Sequence, residues 1–403
     1  MDVDDHGVAA STLAEETERL LDFGLRFPHP LGGAAWLDDT GAPDLGRPVF
    51  TWITARMAHV YCLGALLGRA GDRALAETAL AGLTGRLRDG EHGGWYAGIA
   101  PDGTPLGEKA CYAHAFVVLA ASSGVAAGLD GARELLDETL EVWQRRFFEP
   151  EAGMFADEWD RGFASLSPYR GVNGNMHAVE ALLAAADALD DQALRHQAFA
   201  ISQRVALEFA EPHQWRIPEH FTPDWQPLLE HNVDRPDDPF QPYGATVGHG
   251  LEWSRLLLHL EAALGSQAPV WLRPAAAALF DRAVTDGWAV DGAEGFVYTT
   301  DWSGTPVVRD RMHWVLAEAI AAGAALHRRT GEQSYADLVR TWWAYGERHV
   351  LDRTLGSWHH QLDADNRVIG TVWPGKPDLY HAVQATLIPR LPLTPSITWA
   401  LTD

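Results

Sequence analysis

Apolar residues recur at helical spacing along most of the chain, in stretches rich in alanine and leucine. Residues 55–70, 73–87, 113–128, 132–148, 175–189, 192–210, 248–264, 273–288, 312–331 and 334–350 all carry this pattern. Long β-branched runs with period two are absent. Between pairs of helical stretches lie short segments of another kind: "GGWYAGIAPDGTP", "GMFADEWDRGF", "QWRIPEHFTPDW", "GFVYTTDWSGTPV" and "GSWHHQLDADNRVIG". Each holds an aromatic residue, an alternating stretch and a turn signal, and so predicts a small β-hairpin.

Aligned on Trp95, Phe155, Trp215, Phe296 and Trp358, these hairpins recur in steps of 60, 60, 81 and 62 positions. Two helices per step mark a repeated helical hairpin, and about six of them amount to about a dozen helices. The long step contains a segment rich in Pro and Asp, expected to be an inserted loop over 222–243. An open solenoid and a closed (α/α)6 barrel both fit the repeat. Long aromatic hairpins and an insertion favour loops gathered at one mouth over a deep pocket. The expectation is therefore an all-α chain, one (α/α)6-barrel domain over 1–403, with short β-hairpin loops at that mouth.

Composition narrows the partners. The formal net charge of -24 disfavours nucleic acid and anionic membrane surfaces. No apolar run is long enough to span a bilayer, and "MDVDDHGVAAST" lacks the basic and apolar regions of a signal peptide. Two cysteines, Cys62 and Cys111, without metal-ligand spacing suit a reducing compartment, so the expected location is the cytoplasm. The 17 tryptophans are core anchors by default, but flat apolar walls also stack on sugar rings.

Candidate chemistry gathers at helix starts. "RGVNGNMHAVEALLAA" carries Asn173 and His177; "YGATVGHGLEWSRLLL" carries His249 and Glu252 on one helical face; "RDRMHWVLAEAI" carries His313 and Trp314. "KPDLYHAVQATL" places His381 in the first turn of a helix expected to start at, and be capped by, Asp378. The first half adds Arg56 and His59, then Tyr112 and His114. One such histidine is more often a satisfied core residue. Their recurrence at equivalent starts is the signal, because repeat symmetry brings such positions to one end of a barrel. Imidazoles, a carboxylate and a guanidinium facing one cavity can move protons near neutral pH. A metal would need three or four convergent ligands, and Glu252 is the one clear inward carboxylate, so no metal is expected. A glycosidase would need two placed carboxylates; Asp157, Glu158 and Asp160 in "FADEWD" read as a solvated turn.

The stretches "NGNMHAVEALLAA", "GHGLEWSRLLL" and "GKPDLYHA" together resemble the N-acylglucosamine 2-epimerase superfamily, in particular its aldose–ketose isomerase branch of mannose and sulfoquinovose isomerases. The likeness runs from "TWITARMAHVYCLG" to "WPGKPDLYHAVQATL". It implies an (α/α)6 barrel, in agreement with the repeat, and a site without metal or other cofactor. By position His249 and His381 resemble the two catalytic histidines. Arg56, Tyr112, Asn173, His177, Glu252 and Trp314 resemble substrate-holding positions, with Glu252 either orienting His249 or gripping a hydroxyl. The implied reaction is interconversion of D-mannose and D-fructose by proton transfer through a cis-enediol. A sugar 2-epimerase, a sulfoquinovose isomerase and a non-catalytic sugar-binding protein are the alternatives. The expected partner is a monosaccharide, with oligomeric state open between monomer and homodimer.

Overall fold

A computed structural model describes residues 7–402. Thirteen α-helices are found among the described residues: α1 (Ala10–Phe23), α2 (Thr51–Leu66), α3 (Asp72–Thr84), α4 (Cys111–Ala126), α5 (Ala132–Phe147), α6 (Val172–Leu189), α7 (Gln192–Gln203), α8 (Val247–Leu264), α9 (Leu272–Gly287), α10 (His313–Thr330), α11 (Gln333–His349), α12 (Tyr380–Leu387) and α13 (Ile397–Thr402). Helices α2, α4, α6, α8, α10 and α12 pack side by side, and α12 returns to α2 to close the ring. Each is buried along nearly its whole length, which is why these helices are apolar on every side. The outer helices α3, α5, α7, α9 and α11 bury one face against them and are amphipathic.

The sixth hairpin joins the two ends of the chain: α1 packs on α12. The sequence reading passed over α1 and the short α13. Helix α13 reaches α2, α4 and α6 from the end of the barrel away from the hairpins. The outer helix expected over 192–210 changes winding, running as α-helix to Gln203 and as π-helix over Arg204–Ala210.

The hairpins explain why the inner helices begin where they do. A two-residue strand precedes each of α2, α4, α6, α8 and α10, and pairs antiparallel with the hairpin one repeat later. None of these five helices has a side-chain cap. Instead the first N–H of each donates to a backbone carbonyl beside that hairpin: Thr51 to Ala97, Cys111 to Asp157, Val172 to Glu219, Val247 to Tyr298 and His313 to His360. An orphan donor is thereby satisfied, and a hairpin residue is anchored at each helix start. The repeat aromatics Trp95, Phe155, Phe296 and Trp358 are buried two positions earlier. Trp215 is partly exposed and left-handed, where the π-turn and a 3-10 turn alter the exit from the outer helix.

Candidate active site

The cleft occupies the hairpin end of the barrel, about 670 Å³ including its open mouth. Its walls follow from helix position. Second residues of the inner helices form the rim, Trp52, Tyr112, Asn173, Trp314 and His381, and Gly248 holds the same position in α8. Sixth residues, a little more than one turn deeper, supply Arg56, His177 and Glu252, with Phe116 and Glu318 at the same helix position but outside the lining. The structure brings all eight residues expected from sequence to this cleft: Arg56, Tyr112, Asn173, His177, His249, Glu252, Trp314 and His381. It adds Trp52, Tyr298, His313, His360, Trp373 and Asp378, with Pro239, Phe240 and Pro242 from the segment 222–243.

His249 and His381 are built alike. His249 Nδ1 lies 2.8 Å from Glu219 Oε1, and His381 Nδ1 lies 2.9 Å from Glu318 Oε1. Each carboxylate fixes Nδ1 as the protonated nitrogen and leaves Nε2 with a free lone pair. Trp314 lies between the two rings, 5.2 Å from His249 and 5.6 Å from His381. Burial, with Arg56 adding its positive charge, pushes His381 well below the usual histidine range. It is therefore neutral, and a base, at pH 7.

The partner of His249 corrects one expectation. Glu252 does not orient His249; Glu219 does, from the hairpin. Glu252 points into the barrel axis, where its Oε1 accepts from Arg255 Nη2 at 3.4 Å and its Oε2 has no partner. Burial and the neighbouring Glu318 raise its carboxyl well above the ordinary value.

Arg56 donates to Asp378 Oδ2 at 3.2 Å and to Tyr112 Oη at 2.8 Å, with its guanidinium over the rings of Phe116 and Tyr380. Burial opposes its charge, but Tyr112 and Asp378 more than offset this, and its pKa is raised. Burial pushes the Tyr112 hydroxyl up to about 12. His177 Nδ1 stands 3.7 Å from Glu180 and 3.8 Å from Glu252, beyond hydrogen-bond reach of both. Burial lowers its pKa to about 4. Asn173 Oδ1 is buried without a partner.

The helix carrying His381 starts at Tyr380, two residues later than expected, because Asp378 serves two partners. Its Oδ1 accepts from Tyr380 N at 3.0 Å while Oδ2 holds Arg56. The approach is locked by Lys376, fully buried, whose Nζ donates to Asp352 Oδ2 at 2.7 Å and to two backbone carbonyls. Trp373 closes the mouth from this loop, edge-on to Trp52 and Phe240.

The carboxylate census also needs correction. Glu180, Glu252 and Glu318 converge beneath the cleft, and His177–Glu180–Glu252 and Glu252–Glu318–His381 have donor atoms close enough for a metal. That place is already served by a cation. Arg255 Nε donates to Glu318 Oε2 at 2.9 Å, and its two Nη atoms lie 3.4 Å from Glu252 and 4.0 Å from Glu180. Glu180 further accepts from Gln384 and from the hydroxyl of Tyr380. The remaining candidates lie elsewhere. His59 bonds Ser123 below the cleft, and His114 holds the backbone N–H of Trp95. Asp157 and Glu158 line an adjoining hollow across Tyr112 and Asn173, and Asp160 caps an exposed turn. They do not share the cleft with Glu252.

Sequence reasoning missed Glu219, Tyr298 and His360 as site residues, and the repeat alignment held their signal. Tyr298 and His360 lie two positions after a repeat aromatic, and Glu219 lies four after Trp215. Glu318 occupies the same sixth helix position as Arg56, His177 and Glu252.

The sequence profile of the N-acylglucosamine 2-epimerase (GlcNAc 2-epimerase) family matches residues 32–385. The chain is 51% identical over 391 residues to a D-mannose isomerase of Thermobifida fusca, covering 96% of each chain. It is 45% identical over 394 residues to a D-mannose isomerase of Pseudomonas cannabina pv. alisalensis, covering 96% of this chain and 94% of that one. A crystal structure of D-mannose isomerase superposes with a TM-score of 0.88 at 27% identity, covering 96% of this chain and 98% of the other.

Proposed function

The chain belongs to the N-acylglucosamine 2-epimerase family, and from that premise we propose that it is an isomerase interconverting D-mannose and D-fructose by proton transfer. The observation that carries the reading is the pair of carboxylate-backed imidazoles, His249 and His381, facing one cleft on either side of Trp314.

A C2 proton on a closed aldose is far too weak an acid for imidazole. Ring opening and polarisation of the carbonyl make it removable. In the proposed sequence His381 carries a proton between O5 and O1 to open the ring. His249 Nε2 then takes the C2 proton and returns it to C1 on the same face of a cis-enediol, while the hydroxyl proton of O2 passes to O1. The charge that develops on the enediolate oxygen is met by Arg56, whose position is set before reaction by Asp378 and Tyr112. Glu252 grips a substrate hydroxyl, and neutral His177 holds another. Trp52, Phe240 and Trp373 cover the mouth and keep water from the enediol.

Two-base 2-epimerisation would use the same histidines from opposite faces of C2. The test is to incubate the protein with mannose in heavy water and identify the early products by NMR. Fructose as the dominant early product, with partial deuterium at C1, is expected. Glucose dominating early, with deuterium at C2, would replace the isomerase reading by an epimerase.

A further inference from the structure

The two histidine–carboxylate pairs are alike at the near oxygen of each carboxylate and unlike at the far one. Glu318 gives Oε1 to His381, and its Oε2 accepts from Arg255 Nε at 2.9 Å. Glu219 gives Oε1 to His249, and its Oε2 has no partner. No Lys or Arg pairs with Glu219 among the described residues. Arg255 and Glu318 are each 1% exposed, so water does little to screen the contact between them.

Helix position explains how the arginine gets there. Arg255 is the ninth residue of α8, about one turn below Glu252. His59 and Glu180 hold the ninth position in α2 and α6, so a third layer lies beneath the rim and the sixth residues. From this layer the Arg255 side chain reaches Glu318, the sixth residue of the neighbouring α10. We propose that Arg255 is a positioning residue for the isomerisation: by drawing the charge of Glu318 away from His381, it makes the two pairs unequal. This rests on the isomerase reading, in which His249 and His381 have different tasks.

Those tasks call for the inequality. His249 takes a proton from carbon, and the positive charge it gains is met by a carboxylate that no cation shares. His381 carries a proton between two oxygens, so it must release the proton as readily as it takes it. A carboxylate already bonded to a guanidinium stabilises an imidazolium less. The groups facing His381 are Glu318 and His313 from α10, Arg56 from α2, His177 from α6, His360 from the hairpin and Asp378 from its own approach. Of these, Glu318 is bonded by Arg255. Burial and the charge of Arg56 hold His381 well below the histidine range, and Asp378 opposes them. Loss of Arg255 leaves Glu318 free to hold the His381 proton.

The experiment follows both imidazoles by NMR in protein carrying isotope-labelled histidine, with His381→Gln and His249→Gln assigning the signals. In Arg255→Gln the titration midpoint of His381 is expected to rise by about one pH unit or more, while the His249 signals keep their wild-type course. Arg255→Lys returns the charge without the guanidinium fork and is expected to recover about half of that rise. With mannose, the loss of kcat in Arg255→Gln is expected to be about threefold greater at pH 5.5 than at pH 8, because His381 then holds its proton. A misplaced helix would instead disturb both imidazoles and lower kcat at every pH. Should Arg255→Gln fail to fold, the same substitution combined with Glu180→Gln removes one charge of each sign and is read in the same way. An unmoved His381 midpoint overturns the proposal. So do equal displacements of both imidazoles, a kcat loss that is the same at both pH values, or no recovery in Arg255→Lys. If wild-type protein does not convert mannose, the isomerase reading falls, while the titration still decides whether Arg255 makes the two pairs unequal.

Discussion

Glu219 and Glu318 carry the sharpest test at the scale of single residues. Each accepts from an Nδ1 and so decides which histidine nitrogen is basic. Glu219→Gln is isosteric, but its amide can present NH₂ to Nδ1 and stabilise the wrong tautomer of His249. The expected outcome is a kcat lower by about a hundredfold, within the range assigned to general acid–base catalysis, with KM changed little. Steady-state kinetics check this; a wild-type kcat would show that Glu219 does not set the tautomer. Arg255 supports a second expectation. Its guanidinium already stands among Glu180, Glu252 and Glu318, so activity is expected to survive exhaustive dialysis against EDTA. Loss of activity restored by one divalent metal would point to a metal-assisted hydride shift.

The element that matters most is the α8–α10 contact, where backbone shape places the chemistry. A Cβ added at Gly248 would lie 2.2 Å from Trp314 Cζ3 and 2.9 Å from Val315 Cγ2. Gly248 is thus the gap into which the indole between the two catalytic histidines fits. Gly248→Ala is expected to displace Trp314 and with it the spacing of His249 and His381. Overpacking of this kind costs about 1–3 kcal/mol of stability. The larger effect falls on chemistry, with kcat/KM expected to drop at least tenfold while helical circular dichroism is retained. A variant with native kcat/KM would show that the indole is not a spacer.

Closing the barrel buries polar groups on a scale no single helix could. His59, His114, His177, His259 and His313 are all held at about 4, in each case chiefly by burial. Their folded pKa values lie below the unfolded one, so between about pH 4 and 6.5 the unfolded chain binds more protons. The stability they contribute is complete above the unfolded value and is lost as pH falls through this window. Each contributes a slope of up to about 1.4 kcal/mol per pH unit. Asp157, raised to about 7, and Glu252 act the other way, since their neutral forms favour the fold at low pH, but they are fewer. Thermal melts are expected to show Tm falling steadily from pH 7 to pH 5. A flat Tm over that range would mean that these imidazoles are not buried neutral. Among the described residues no helix is long and apolar enough to cross a membrane.

What the chain determined locally was the period. Helical spacing, five aromatic anchors and turn residues at regular steps are properties of neighbouring residues, and they were enough for the repeat and favoured the barrel; the eight positions that face its cleft were picked from the helix-start candidates by their resemblance to the family. Helix starts were legible because a residue's place in the first two turns decides whether it reaches the mouth. Pairing across the ring was not legible. Glu219 meets His249 across 30 positions and Glu318 meets His381 across 63, and that choice of carboxylate depends on how a hairpin or a neighbouring helix seats against the helix start. Sequence spacing therefore suggested Glu252, one turn from His249, as its partner. Only the closed ring decided otherwise, because it turns Glu252 toward Arg255 at the barrel axis and brings the Glu219 carboxylate to the histidine.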